Sequence, residues 1–282
     1  MTTLSRDQLD FFSKNGYLVL ENLFTAAEVA ALRQESDYLL ELIINSSLMH
    51  ERLSGRLDWR LTSQGEQMVR KVQPVNDLSL AFTRAIEDER ILNPLRQIMG
   101  EDPVLMEEKL NYKQPLPNRV ETLPIREMDD AFTVHNDWAY YAAHKYPQTV
   151  LSSALLLDDC TPDNGPLRIW PGSHRQHLEH ERTADGLQVL PGLIDHEGGM
   201  DMLAGAGSFM IFSVLVVHNS RPNTSGRPRR LMIYSHHPQS FDMPVDVRNG
   251  PSRLRESPFE RQYMRARERG EFQDLFQAPT YS

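Results

Sequence analysis

The chain has 282 residues, with 30 Lys and Arg against 39 Asp and Glu, for a formal charge of −9. An acidic balance without clustered Lys and Arg argues against a dedicated nucleic-acid binder and gives no support for docking on an anionic membrane. The lone cysteine, Cys160, admits no intramolecular disulfide, no apolar run reaches the roughly 18 residues of a membrane span, and residues 1–7 hold no signal-peptide core. A soluble cytoplasmic protein is expected, long enough to bury a sizeable core as one domain.

Ser5 with Gln8, and Thr25 with Glu28, have the spacing of capping boxes and open two helices. The first stops at Asn15-Gly16, and Tyr17-Leu18-Val19-Leu20 reads as a short strand. The second helix turns Val29, Leu32, Leu39, Leu40 and Ile43 towards a core. Residues 46–67 are polar and break the pattern, so a loop or short helices are expected there. Val69 to Pro74 reads as a strand, and helical spacing returns through Phe82, Ile86, Ile91, Leu95 and Ile98 up to Gly100, with Pro94 in a first turn.

Strands then dominate. Lys109-Leu110-Asn111-Tyr112-Lys113 alternates with period two, residues 114–130 read as a long loop, and residues 149–157 form a strongly apolar strand. Asn164-Gly165 turns the chain into Leu167-Arg168-Ile169-Trp170. Residues 175–199 form a polar excursion, Ser208 to Phe212 is another strand, and residues 229–236 are the last. The tail after Pro238 is rich in Arg and Glu and should pack as turns and one short helix with little core-forming power. The expected class is mainly β in a single domain: residues 1–100 a mainly helical buttress, 101–237 a sandwich or barrel core, and 238–282 a C-terminal extension.

The chemistry centres on Thr133-Val134-His135-Asn136-Asp137-Trp138. In a strand, residues i and i+2 share a face, so His135 and Asp137 project together and are able to grip one metal ion. Val216-Val217-His218-Asn219-Ser220 offers the third ligand, and two histidines with a carboxylate are the facial triad of non-haem Fe(II) oxygenases. Arg229 alternates into the interior with Leu231 and Ile233, where a planar guanidinium forks onto a carboxylate; Arg230 then faces outward. Lys109, Asn111 and Lys113 share one face of what reads as an edge strand.

Further motifs join these in a fixed order: Asp10-Phe11-Phe12 with Asn15-Gly16-Tyr17, the Lys109–Lys113 segment, His135-Asn136-Asp137-Trp138, Asn164-Gly165-Pro166-Leu167, Pro171-Gly172-Ser173-His174, and His218-Asn219-Ser220 with Asn223 and Arg229. Over residues 4–234 the chain resembles the phytanoyl-CoA dioxygenase family and, within the Fe(II)/2-oxoglutarate oxygenases, is similar to ectoine hydroxylase. The resemblance implies a double-stranded β-helix, a cupin-like jelly roll with buttressing N-terminal helices. It implies Fe(II) held by His135, Asp137 and His218, with 2-oxoglutarate as cosubstrate and O2 as oxidant. Arg229 then meets the distal carboxylate of 2-oxoglutarate, Ser220 bonds the same molecule, Asn111 is a further contact and Lys109 helps hold the anion.

The implied reaction is hydroxylation or another oxidation of a small-molecule C–H bond with release of succinate and CO2. Related aliphatic halogenases replace the carboxylate ligand with a small residue, whereas this chain keeps Asp137. No phosphate-cradling glycine motif supports a CoA thioester substrate. The alternatives are an oxygenase acting on a macromolecule and a catalytically silent metabolite-binding jelly roll. The expected partner is a small molecule, with no nucleic acid and no membrane, and the sequence leaves monomer and homodimer both open.

Overall fold

The structure, a computed structural model, describes residues 2–116, 123–242 and 258–281. In chain order the elements are α1 (Arg6–Asn15), β1 (Tyr17–Leu20), α2 (Ala26–Met49), β2 (Leu57–Leu61), β3 (Gln67–Val72), α3 (Leu80–Ile86), α4 (Glu89–Met99) and β4 (Pro103–Leu116). There follow β5 (Arg126–Glu127), β6 (Phe132–His135), α5 (Trp138–Tyr141), β7 (Leu151–Leu156), β8 (Leu167–Ile169), β9 (His180–Arg182) and β10 (Leu187–Val189). The last are β11 (Met200–Asp201), β12 (Phe209–Ser213), β13 (His218–Ser220), β14 (Leu231–Pro238) and α6 (Pro258–Glu268).

Eight strands form one sheet in the order β1-β12-β7-β14-β4-β3-β2-β5, and four form a second in the order β11-β8-β13-β6. Pairing is antiparallel except between β2 and β5. This is the jelly roll, and its apolar strands show why it forms. Leu155 of β7, Ile211 of β12 and Met232 of β14 enter a large cluster with Leu39, Leu40 and Ile43 of α2. Their neighbours Ala154, Leu156, Met210, Phe212 and Leu231 enter a second cluster with Leu167 and Ile169 of the small sheet. Both faces of the large sheet are thus buried, which is why those strands read as continuous apolar runs rather than alternating ones.

Both capping boxes form, at Ser5 and Thr25. Pro94, expected in a first turn, instead lies inside α4, which starts earlier because the Asp88 side chain caps it. The expected loop over residues 46–67 is also corrected: α2 runs to Met49, and β2 pairs with β3. The sequence hides β2 because its polar residues are paired in the interior, with Arg60 and Arg70 both on Asp58 and Trp59 buried beside them. Strand β4 is no edge, since β14 and β3 flank it, and it runs to Leu116 into the expected 114–130 loop. Residues 117–122 of that loop lie outside the described residues.

Arg230 does point away from Arg229 but does not face solvent. α2 roofs that side of β14, and the guanidinium is buried on Asp158 and Asp37, both at 2.8 Å. The tail contributes more core than its composition suggests. Tyr263 of α6 and Phe276 join the large cluster, and the Asn45 side chain donates to Phe276 O at 2.8 Å. No helix among the described residues is long and apolar enough to cross a membrane.

Candidate metal centre and active site

His135 ends β6, His218 begins β13, and the two are register partners across that strand pair. Asp137 joins them by a turn, not by strand pleating. The chain leaves the sheet at Asn136, whose Oδ1 accepts from Ala139 N–H at 3.1 Å, and Asp137 takes helical angles of φ −64° and ψ −31° at the head of α5. Trp138 N–H fixes this turn by donating to Val214 O at 3.1 Å. The expectation that His135 and Asp137 converge holds, while the strand geometry offered for it does not.

One Asp137 oxygen, Oδ1, stands 3.7 Å from His135 Nε2 and 3.5 Å from His218 Nε2. Each imidazole is oriented by its own chain. His135 Nδ1 lies 2.7 Å from Thr133 O, and His218 Nδ1 lies 3.0 Å from Val216 O. A carbonyl only accepts, so both Nδ1 atoms carry the proton and both Nε2 lone pairs face Asp137. Ser152 Oγ donates to the other carboxylate oxygen, Oδ2, at 2.5 Å, leaving Oδ1 for a metal. Burial opposes charge on Asp137, but in the metal-free protein His218 and His135 when protonated, together with Lys109, outweigh it and hold the carboxyl well below the usual carboxylate range. Burial pushes His218 down to about 4 against the pull of Asp137. Two neutral imidazole nitrogens and one carboxylate oxygen, all within 4.8 Å of one another, are a donor set suited to Fe(II).

Behind the triad lies an inner pocket of about 70 Å³ lined by His135, Asp137, His218, Asn111, Ser220 and Arg229. Arg229 is 1% exposed, and its Nη2 donates to Gly165 O at 2.6 Å. Among the described residues its Nε has no hydrogen-bond partner, nor do Asn111 Oδ1 and Ser220 Oγ. Unpaired buried polar atoms are costly, so their convergence on one cavity marks a place for a polar ligand. Burial lowers the Arg229 pKa from its ordinary value, and nearby Asp130 and Asp158 offset this only in part.

In front of the triad an outer chamber of about 700 Å³ shares Lys109, Phe132, His135 and Asp137 with the inner pocket. Lys109 therefore stands at the junction, 3.4 Å from Glu107. Lys113 does not share that exposed role. With φ at 40° it turns into the interior, fully buried, where its Nζ meets Asp130 at 3.4 Å and the Arg221 carbonyl.

Sequence reasoning missed a chain of buried hydrogen bonds behind Asp137. Ser152 Oγ lies 3.4 Å from Ser235 Oγ, which lies 3.2 Å from Tyr141 OH, and Tyr141 donates to Glu107 at 2.5 Å. The serines sit inside apolar strands, so only their burial, visible once the sheet is formed, singles them out. Tyr140 and Tyr141 both border the outer chamber.

His174, His177 and His180 support the architecture. His174 packs so closely on Gly16 that a Cβ there would come within 2.5 Å of its ring, and Gly172 N–H donates to Asn15 O at 2.8 Å. The Asn-Gly and Pro-Gly-Ser-His motifs thus dock α1 against the segment leading to His218. His177 and His180 stack at 5.2 Å, and His180 accepts from Asn136 N–H at 3.2 Å, holding the metal-side turn.

The family model for phytanoyl-CoA dioxygenase (PhyH) matches residues 12–231. Among curated proteins, the ectoine dioxygenase of Halomonas elongata is 28% identical over 244 residues, covering 80% of this chain and 68% of its own. The methylphosphonate hydroxylase of Gimesia maris is 25% identical, covering 83% of this chain and 81% of its own. Among solved structures, EctD from S. alaskensis with 2-oxoglutarate and 5-hydroxyectoine superposes with a TM-score of 0.65 at 23% identity, covering 86% of this chain and 79% of that one.

Proposed function

This chain belongs to the phytanoyl-CoA dioxygenase family, and on that premise we propose that it is an Fe(II)- and 2-oxoglutarate-dependent dioxygenase hydroxylating an unactivated C–H bond of a small-molecule metabolite. The observation that carries the reading is the junction itself: one buried His-Asp-His triad open on one side to a pocket with an unpaired arginine and on the other to a roomy chamber.

In this reading His135, Asp137 and His218 hold the iron, and Arg229 forks onto the distal carboxylate of 2-oxoglutarate. Ser220 and Asn111 supply hydrogen bonds to the same cosubstrate from atoms that otherwise lack a partner. Lys109 adds positive charge where pocket and chamber meet. Iron, 2-oxoglutarate and O2, when bound, supply the oxidising chemistry that releases succinate and CO2. The chain contributes position: Thr133 and Val216 carbonyls aim the imidazoles, Ser152 fixes the carboxylate, and Phe132 with Tyr140 lines the chamber beside the triad. Asp137 fills the position that a halide needs, so oxygen rather than halogen is transferred. Ectoine and methylphosphonate, named for two relatives, differ widely in size, so neither carries over to this chain.

Succinate release from 2-oxoglutarate tests the proposal. It should require added Fe(II), and Asp137→Ala should abolish it while the circular dichroism spectrum stays that of the wild type. Turnover that persists in a strong chelator without iron would sink the reading.

A further inference from the structure

Four cations line the outer chamber, and three are paired with a carboxylate. Arg56 forks onto Asp77 at 2.7 and 2.6 Å, and Arg70 Nε donates to Asp58 at 2.8 Å. Lys109 has Glu107 at 3.4 Å. The fourth, Lys71, forms no ion pair among the described residues, and its ammonium donates only to the Gln73 amide oxygen, at 3.3 Å.

Lys71 reaches the chamber because β3 is irregular. The register against β4 shifts between Val69 and Lys71, so the adjacent residues Arg70 and Lys71 both line the cavity instead of taking opposite faces. Glu107 does not neutralise Lys71 either. Its two oxygens are occupied by Gln73 at 2.7 Å and Tyr141 at 2.5 Å, and Lys109 is its closer cation. Asp58, the register partner of Lys71 across β2, is itself held by Arg60 and Arg70, so the two ammonium groups of Lys71 and Lys109 meet only carboxylates already engaged by other groups. Burial and then the Lys109 charge push the Lys71 pKa down to about 8, and Asp58 and Glu107 offset this only in part. Asp185 and Thr133 also line the wall, and its apolar and aromatic part, Leu57, Pro74, Phe132 and Tyr140, shares the chamber with His135 and Asp137.

Resting on the oxygenase reading above, we infer that Lys71 anchors an oxyanion of the substrate, which is therefore a small acid whose apolar stem runs along Phe132 and Tyr140 to the metal. A carboxylate and a phosphonate share the chemistry Lys71 recognises. The cosubstrate does not compete for this place, because its own cation, Arg229, lines only the inner pocket.

The test is calorimetric titration of anaerobic protein loaded with Fe(II) and 2-oxoglutarate, using pentanoate, pentylphosphonate and the neutral pentanamide as probes. One charge-assisted hydrogen bond corresponds to about tenfold in affinity, so at least one acid should bind at least that much tighter than the amide. The better of the two acids identifies the head group. Lys71→Met should bring the acid and the amide to equal affinity, Lys71→Arg should keep most of the preference, and both should bind 2-oxoglutarate as the wild type does. Equal binding of acids and amide by the wild type, no binding of either acid, or a preference that survives Lys71→Met would overturn the assignment. The loading step is read separately, by the metal-to-ligand charge-transfer band. If that band fails to form, the oxygenase reading falls, while acid preference measured on the metal-free protein still decides the anchor.

Discussion

Exchanging Arg229 for methionine should change stability and cosubstrate affinity in different ways, and the structure says by how much. The side chain is 1% exposed, and among the described residues its Nε lacks a partner and its one hydrogen bond runs from Nη2 to Gly165 O. Methionine keeps most of the buried stem. Losing the Gly165 bond costs about 1–3 kcal/mol, and removing a desolvated charge returns about 1–4 kcal/mol, so the apoprotein should be as stable as the wild type or more so. Affinity moves the other way. Two charge-assisted bonds to a carboxylate, at about 1.5–3 kcal/mol each, make the loss at least about 3 kcal/mol, or more than a hundredfold in Kd for 2-oxoglutarate. Thermal unfolding with and without 2-oxoglutarate reads both quantities, because ligand at about 100 times its Kd stabilises by about 2.7 kcal/mol. In Arg229→Met that increment should vanish while the ligand-free transition holds its place. A variant that unfolds several kcal/mol more easily yet binds 2-oxoglutarate normally would make Arg229 a structural residue and refute the reasoning.

Two further outcomes follow from partners described above. Ser152→Ala removes the donor that orients Asp137 and should weaken Fe(II) binding by about 10- to 100-fold, measured by competition with a chelator; unchanged affinity would show that the carboxylate is held without it. Burial pushes the Lys113 pKa down to about 7, whereas an unfolded lysine keeps its proton to about 10.4. Across that window the unfolded chain binds more protons, so the lysine becomes less destabilising as pH rises. Urea unfolding of wild type against Lys113→Met should show the wild type gaining from about pH 7 to 10 and level below it; a constant difference would mean that Lys113 keeps its charge.

The proposed site was legible in the sequence because the proposed chemistry draws on few residue types. A metal takes imidazole and carboxylate, a buried dicarboxylate takes a guanidinium, and the structure brings His135, Asp137, His218 and Arg229 to one pocket. The apolar strands β7, β12 and β14 were legible for a related reason, since two covered faces leave little room for polar residues. What stayed hidden depends on partners far away in the chain. Arg230 reads as an outward residue until Asp37 of α2 covers it, and β2 reads as a loop until Arg70 of β3 answers Asp58. The helical turn at Asp137 is set by Asn136 and by Val214, a residue on the far side of β12 in sequence. Lys71 offers no sequence signal, because the bulge that aims it exists only between paired strands.

The two metal-side imidazoles are each clamped by the carbonyl two residues earlier in their own chain. Tyr140 packs edge-on against the His135 ring and Phe212 against the His218 ring, so protein contacts hold both angles. Such a site is preorganised before metal arrives, and preorganisation does not discriminate between divalent ions. Affinity of an N/O site rises from Fe(II) through Co(II) and Ni(II), with Zn(II) also above Fe(II). The protein as isolated should therefore carry whichever of these ions its surroundings supply most freely, and ions without iron's redox chemistry would act as tight, silent plugs. Specific activity would then report the metal history of a preparation as much as the quality of its fold.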